Sequence, residues 1–149
     1  MQRLAKNSMV AAAILCAGLL LRPALASAVT FGDATLNGTY AFQFNKFGTC
    51  PNIAVIVGVF DFNGSGNVTA NFTVFNSNKG GAGPKTSTGS ASGTYTVNPD
   101  GTGVIQFSSS GSPKFAFVID SSASVPRLEL ITTNLGSSSC AESGYAIQQ

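Results

Sequence analysis

The segment 53–75, IAVIVGVFDFNGSGNVTANFTVF, constrains the fold more than any other part of the chain. Two apolar runs flank Asn63-Gly64-Ser65-Gly66. This places Asn at the first position of a type I turn and Gly at the fourth, where a left-handed φ suits a bulged three-residue hairpin loop. That loop length fixes the register: Phe62 faces Val68, Phe60 faces Ala70, Gly58 faces Phe72 and Ile56 faces Val74, all on one surface. Asp61, Thr69, Asn71 and Thr73 fall on the other. A two-residue loop would bury Asp61 and expose two phenylalanines.

The same pattern recurs along the chain. Tyr40, Phe42 and Phe44 alternate with smaller or polar residues as a half-buried strand. The stretch 76–92 is Gly, Ser and Thr with two lysines and is expected to be a surface loop. Tyr95 and Val97 mark a fourth strand. Asp100-Gly101-Thr102-Gly103 then matches Asn63-Gly64-Ser65-Gly66 in residue type and predicts a second bulged hairpin. Ile105 with Phe107, Phe115 with Phe117 and Ile119, Leu128 with Leu130, and Tyr145 with Ile147 supply the apolar faces of strands five to eight. Eight strands in sequence with short connections describe an all-β, antiparallel up-and-down meander. Such a sheet closes into a barrel or splits into a two-sheet sandwich to hide its apolar face and its edges. The barrel is the expected form, and the sandwich is the alternative.

The N-terminal residues read as an export signal outside the fold. Arg3 and Lys6 precede an apolar run from Met9 to Leu21, and Ala26-Ser27-Ala28 offers a small-residue cleavage site, after Ala28 or Ala26. Thirteen apolar residues are too few to cross a bilayer comfortably. The expected organisation is a cleaved signal over 1–28 and one β domain over 29–149, secreted or periplasmic. The basic residues left are Lys46, Lys79, Lys85, Lys114 and Arg127, against six acids. A domain near net −1 with no basic cluster offers no footprint for nucleic acid or anionic lipid, and no membrane association is expected after cleavage. Cys50 and Cys140 remain, and in an exported chain an even pair is read as a disulfide. In a closed meander, the loop leaving strand one and the loop entering strand eight share one end, so this bridge would staple the seam.

Two resemblances follow from these residues. Gly38-Thr39-Tyr40 resembles the Gly-x-aromatic opening of calycin-type barrels such as lipocalins and avidins, with Tyr40 where those families usually carry Trp. LNGTYAFQF, GVFDFNGSGNVT, GTYTVNPDGTG, RLELITT and SGYAIQQ together resemble small exported bacterial β proteins with no assigned activity. The resemblance implies fold and compartment only.

The chain has no histidine, which removes Ser-His and Cys-His nucleophile activation and most zinc sites. The acids are scattered rather than paired as glycoside hydrolysis requires. Lys79 to Thr86, KGGAGPKT, lacks the P-loop glycines at Lys79 and Pro84, and no helix follows it. Asp61-x-Asn63-x-Ser65 begins like a calcium loop, but Phe72 stands at the position of its bidentate Glu. No catalytic or metal residue and no cofactor is therefore assigned. What remains is the apolar inner face, whose candidate interior or ligand-lining members are Phe42, Phe44, Phe60, Phe72, Tyr95, Phe107, Phe115, Phe117 and Tyr145. An eight-stranded barrel is just wide enough to be filled by side chains or to hold one small ligand. The expected function is a non-enzymatic surface or extracellular interaction module with a protein or surface partner. The alternative is a carrier of a small apolar ligand.

Overall fold

The computed structural model describes residues 29–48, 53–77, 83–109, 112–134 and 140–149. Residues 1–28, expected to be an export signal, together with Cys50 and Lys79 of the P-loop-like run, lie outside the described residues. Eight strands, β1 (Asn37–Gly48), β2 (Ile53–Asn63), β3 (Asn67–Ser77), β4 (Lys85–Val97), β5 (Thr102–Phe107), β6 (Lys114–Asp120), β7 (Arg127–Thr132) and β8 (Cys140–Gln148), pair in sequence order. All neighbours are antiparallel and β8 returns to β1, closing the barrel. The sheet thus closes into one barrel and does not split into two.

The central hairpin holds the register its turn dictates, from Ile56↔Val74 to Phe62↔Val68. Asn63 Oδ1 accepts the Ser65 and Asn67 N–H groups at 2.9 and 3.0 Å, and Gly66 takes φ +89°. Gly64 is also left-handed, at φ +74°, so the loop departs from a simple type I turn. Asp61 lies outside and accepts the Thr39 hydroxyl at 2.6 Å. The Asn63 and Asp61 oxygens of the calcium-loop look-alike thus serve the hairpin and the neighbouring strand.

The second hairpin turns earlier than residue type suggested. Val97 pairs with Gly103, and the loop is Pro99-Asp100-Gly101, closed by Gly101 N–H to the Asn98 carbonyl at 2.9 Å. Pro99 pre-sets the φ of the second turn position and Gly101 takes φ +85°, so the pair Asn98 and Gly101 repeats Asn63 and Gly66. Gly103 is instead a strand residue: a Cβ there would lie 2.7 Å from Phe117 Cε1.

The stretch 76–92 is mostly strand rather than loop. β3 reaches Ser77, and β4 pairs with it from Asn76↔Lys85 to Asn67↔Thr94. Polar side chains do not prevent a strand whose backbone is fully paired, and small inward residues are what this wall requires. Gly89 sits beneath the Phe72 ring, where a Cβ would meet Phe72 Cζ at 2.8 Å. Gly58 relates to Phe42 in the same way, at 2.9 Å from Cζ, and Gly144 to Phe44, at 2.7 Å from Cδ1. Each ring lies across a glycine on the next strand. At these three places a large ring takes the room that an absent side chain leaves.

One end of the barrel is stoppered. A short 3-10 helix (Asp33–Thr35) leads to Leu36, which is fully buried. Tyr95 donates its hydroxyl to the Asp33 and Leu36 carbonyls, both at 2.9 Å, and Asp33 Oδ1 accepts the Val97 N–H at 2.7 Å. The Leu36 carbonyl accepts the Gly64 N–H at 3.1 Å and the Phe31 N–H reaches the Pro99 carbonyl at 3.3 Å, so the plug is tied to the β2–β3 and β4–β5 turns. Tyr40, Phe62 and Tyr95 stack edge to face above it, with centroids 5.2 and 5.0 Å apart. Burial pushes the Tyr40 and Tyr95 phenols above their usual value.

Two surface turns set the acid response. Asp100 accepts the Thr102 hydroxyl and N–H at 2.7 and 2.9 Å, and Asp120 accepts the same groups of Ser122 at 2.6 and 2.9 Å. These bonds favour the charged form and hold both carboxyls below the ordinary 3.8. A folded value below the unfolded one stabilises fully above the unfolded value, and that contribution is lost as pH falls through the folded value. Thermal stability is therefore expected to drop below about pH 4, and Asp100→Asn with Asp120→Asn to flatten that drop. Melting curves recorded from about pH 5 to about pH 2 check this; an unchanged slope in the double variant contradicts it.

Candidate functional site

The half of the barrel away from the plug holds a cavity of about 170 Å³. Its walls are the inward rings of Phe42, Phe44, Phe60, Phe72, Phe107 and Phe115, with Ile56, Ala70 and Ala91 between them. Phe42 stacks on Phe60 at 4.1 Å and Phe44 on Phe115 at 4.8 Å, which fixes the ring planes around the void. Ser90, Ser109, Ser112 and Pro113 also line it. A dry apolar cavity of about 150 Å³ in another protein accepts benzene, so this one matches a single substituted ring.

Six of the nine expected interior residues thus meet around one space. Tyr95 and Phe117 are buried elsewhere in the interior, at 2% and 4% exposure, and do not line the cavity. Tyr145 is a correction. It sits on the outer wall opposite Gln43 and Glu129, with the Arg127 guanidinium 4.9 Å above its ring. Ile147, expected beside it on the inner face, shares the outer one. Phe42 pairs with Ala146 and Phe44 with Gly144 across the seam. Paired residues share a face, so the inner face of β8 carries Glu142, Gly144 and Ala146. The room there is taken by the β1 rings, and the large apolar members of β8 are turned outward.

That inversion brings in a residue the sequence reading did not single out. Glu142 is the charged side chain in the cavity lining, 12% exposed, and Lys46 Nζ lies 3.2 Å from its Oε1. Lys46 shares the inner face of β1 with Phe42 and Phe44 and pairs directly with Glu142. Thr132 fixes the backbone beneath: its hydroxyl accepts the Glu142 N–H at 2.7 Å and donates to the Glu142 carbonyl at 3.3 Å, just past the last β7–β8 pair, Ile131↔Ser143. The available signal was the alternation of Glu142, Gly144 and Ala146, readable only once β8 is set against β1.

Cys140 opens β8 opposite Gly48, two residues before Cys50. No group of three or more metal-ligating side chains occurs among the described residues, and none of their helices is long and apolar enough to cross a membrane. Chemically, the site can enclose a small apolar body and offer it one ion pair. Compared with protein-family models, curated proteins and solved structures, the chain matches none. Fold and cavity therefore carry the functional reading on their own.

Proposed function

We propose that this is an exported, non-enzymatic carrier of a small apolar ligand, held in the half of the barrel away from the plug. The observation that carries this reading is the cavity itself. Six aromatic rings surround a void of one-ring size, although filling it would stabilise the fold by about 25 cal/mol for each Å² of apolar surface covered. The stretch 76–92, expected as an exposed polar loop that an interaction module could use, is largely strand, so it offers that module less support. Export through residues 1–28 and a Cys50–Cys140 bridge belong to the same proposal. The bridge is supported by the Gly48↔Cys140 register.

Ala70 is 2% exposed and lines the void. Ala70→Leu is expected to fill the space and to weaken binding of a one-ring probe, ethylbenzene, by about tenfold or more while leaving the fold intact. Titration calorimetry on both forms, with native mass spectrometry of protein from its source, checks this. An unmodified protein that takes up neither ethylbenzene nor any co-purifying molecule overturns the carrier.

A second reading, an interaction module on the outer wall, is supported by Val57 and Phe75. They stand on neighbouring strands and are 45% and 44% exposed. Loss of surface attachment in a Val57→Thr, Phe75→Thr variant that still binds ethylbenzene would favour it.

A further inference from the structure

We infer that the occupant of the cavity is an aryl-alkyl amine whose protonated nitrogen takes the place of Lys46 against Glu142; this rests on the carrier reading and names its ligand class. Among the described residues, the only group on the Glu142 carboxylate is Lys46, on Oε1. The two partners are unequally placed. Glu142 is 12% exposed and its backbone is clamped by Thr132, whereas Lys46 is 30% exposed at the rim. A lysine on a flexible stem can swing its ammonium into water at little cost. A carboxylate set in an aromatic wall cannot follow it, and leaving it unpaired costs more than the pair was worth. The site therefore requires a cation at Glu142 but does not require that it be Lys46.

The apolar part of the ligand follows from the walls. The rings of Phe42, Phe44, Phe60 and Phe115 offer faces and edges to one aromatic ring, and about 170 Å³ admits that ring with a short chain. Electron-rich ring faces also favour a nearby ammonium. An acid head would meet the like charge of Glu142. A wholly apolar occupant would cover the ion pair without replacing the water it loses. Because Lys46 competes for the same oxygen, ligand exchange is built into the site.

Three probes of one shape and different heads decide the matter, titrated into the unmodified protein near neutral pH: 2-phenylethylamine, ethylbenzene and 3-phenylpropionate. The amine is expected to bind about tenfold more tightly than ethylbenzene, and the acid more weakly than both. Glu142→Gln should bring the amine level with ethylbenzene. Lys46→Met, which removes the competitor, should keep or increase the amine's advantage. Equal binding of amine and ethylbenzene, or tighter binding of the acid, overturns the amine and leaves the carrier standing. Binding of none of the three overturns the carrier and the amine with it. Should Glu142→Gln not fold, the ranking of probes on the unmodified protein still gives the answer.

Discussion

Gly144→Ala is expected to destabilise the protein by at least about 3 kcal/mol, the upper range for overpacking a well-filled interior. The added methyl would fall inside contact distance of the Gln43 carbonyl oxygen, 2.8 Å from the Gln43 carbonyl carbon and 2.7 Å from Phe44 Cδ1. Two of those three atoms are backbone of β1, the strand on which the barrel closes, and backbone cannot step aside as a side-chain tip can. The strain would fall on the seam itself, so the loss should appear as weakened β1–β8 pairing. Gly32→Ala is the control, because a methyl there meets nothing within 4 Å; its effect should stay within about 0.5 kcal/mol. Urea unfolding of the two variants checks this. Similar midpoints would mean that the inner face of β8 is looser than its contacts indicate.

Removing the proposed Cys50–Cys140 bridge should have the second large effect. The bridge would close a loop of about 90 residues, for which the chain-entropy model gives about 4 to 5 kcal/mol, less any strain. Cys50→Ser with Cys140→Ser, or reduction of the unmodified protein, should lower the thermal midpoint together. The intact mass of the oxidised protein should be lighter by two hydrogens than that of the reduced one. A midpoint indifferent to reductant, with no such mass difference, removes the bridge from the proposal and leaves the hydrogen-bonded seam to close the barrel alone. The stabilisation would act through the unfolded chain, so ligand affinity should change little in folded protein.

The order of the strands could be read because most carry large inward residues at period two and because turns pin their neighbours. Asn63 and Gly66 set the central register, and Phe115, Phe117, Leu128 and Leu130 gave their faces directly. Where the inner residues are small, the same rule misleads. β8 was oriented by Tyr145 and Ile147, the larger members of its alternation, whereas Gly144 and Ala146 face inward because Phe44 and Phe42 already fill that space. The polar run before Ser92 failed for a related reason. Its glycine at 89 makes room for Phe72 on the neighbouring strand, and a hydropathy pattern cannot register a side chain that is useful by being absent. Glu142 was hidden by the inversion of β8. All six of the cavity's rings were legible in the sequence, and its charge was not.

The plug formed by residues 31–36 closes one end of the interior, as a base closes a cup. Whatever fills a cup must come out over the lip by which it went in, so a second guest cannot drive the first one onward. For the proposed carrier, loading and unloading would share one doorway and one barrier. A change that hinders arrival there should hinder departure in equal measure, prolonging the stay without altering how strongly the guest is held.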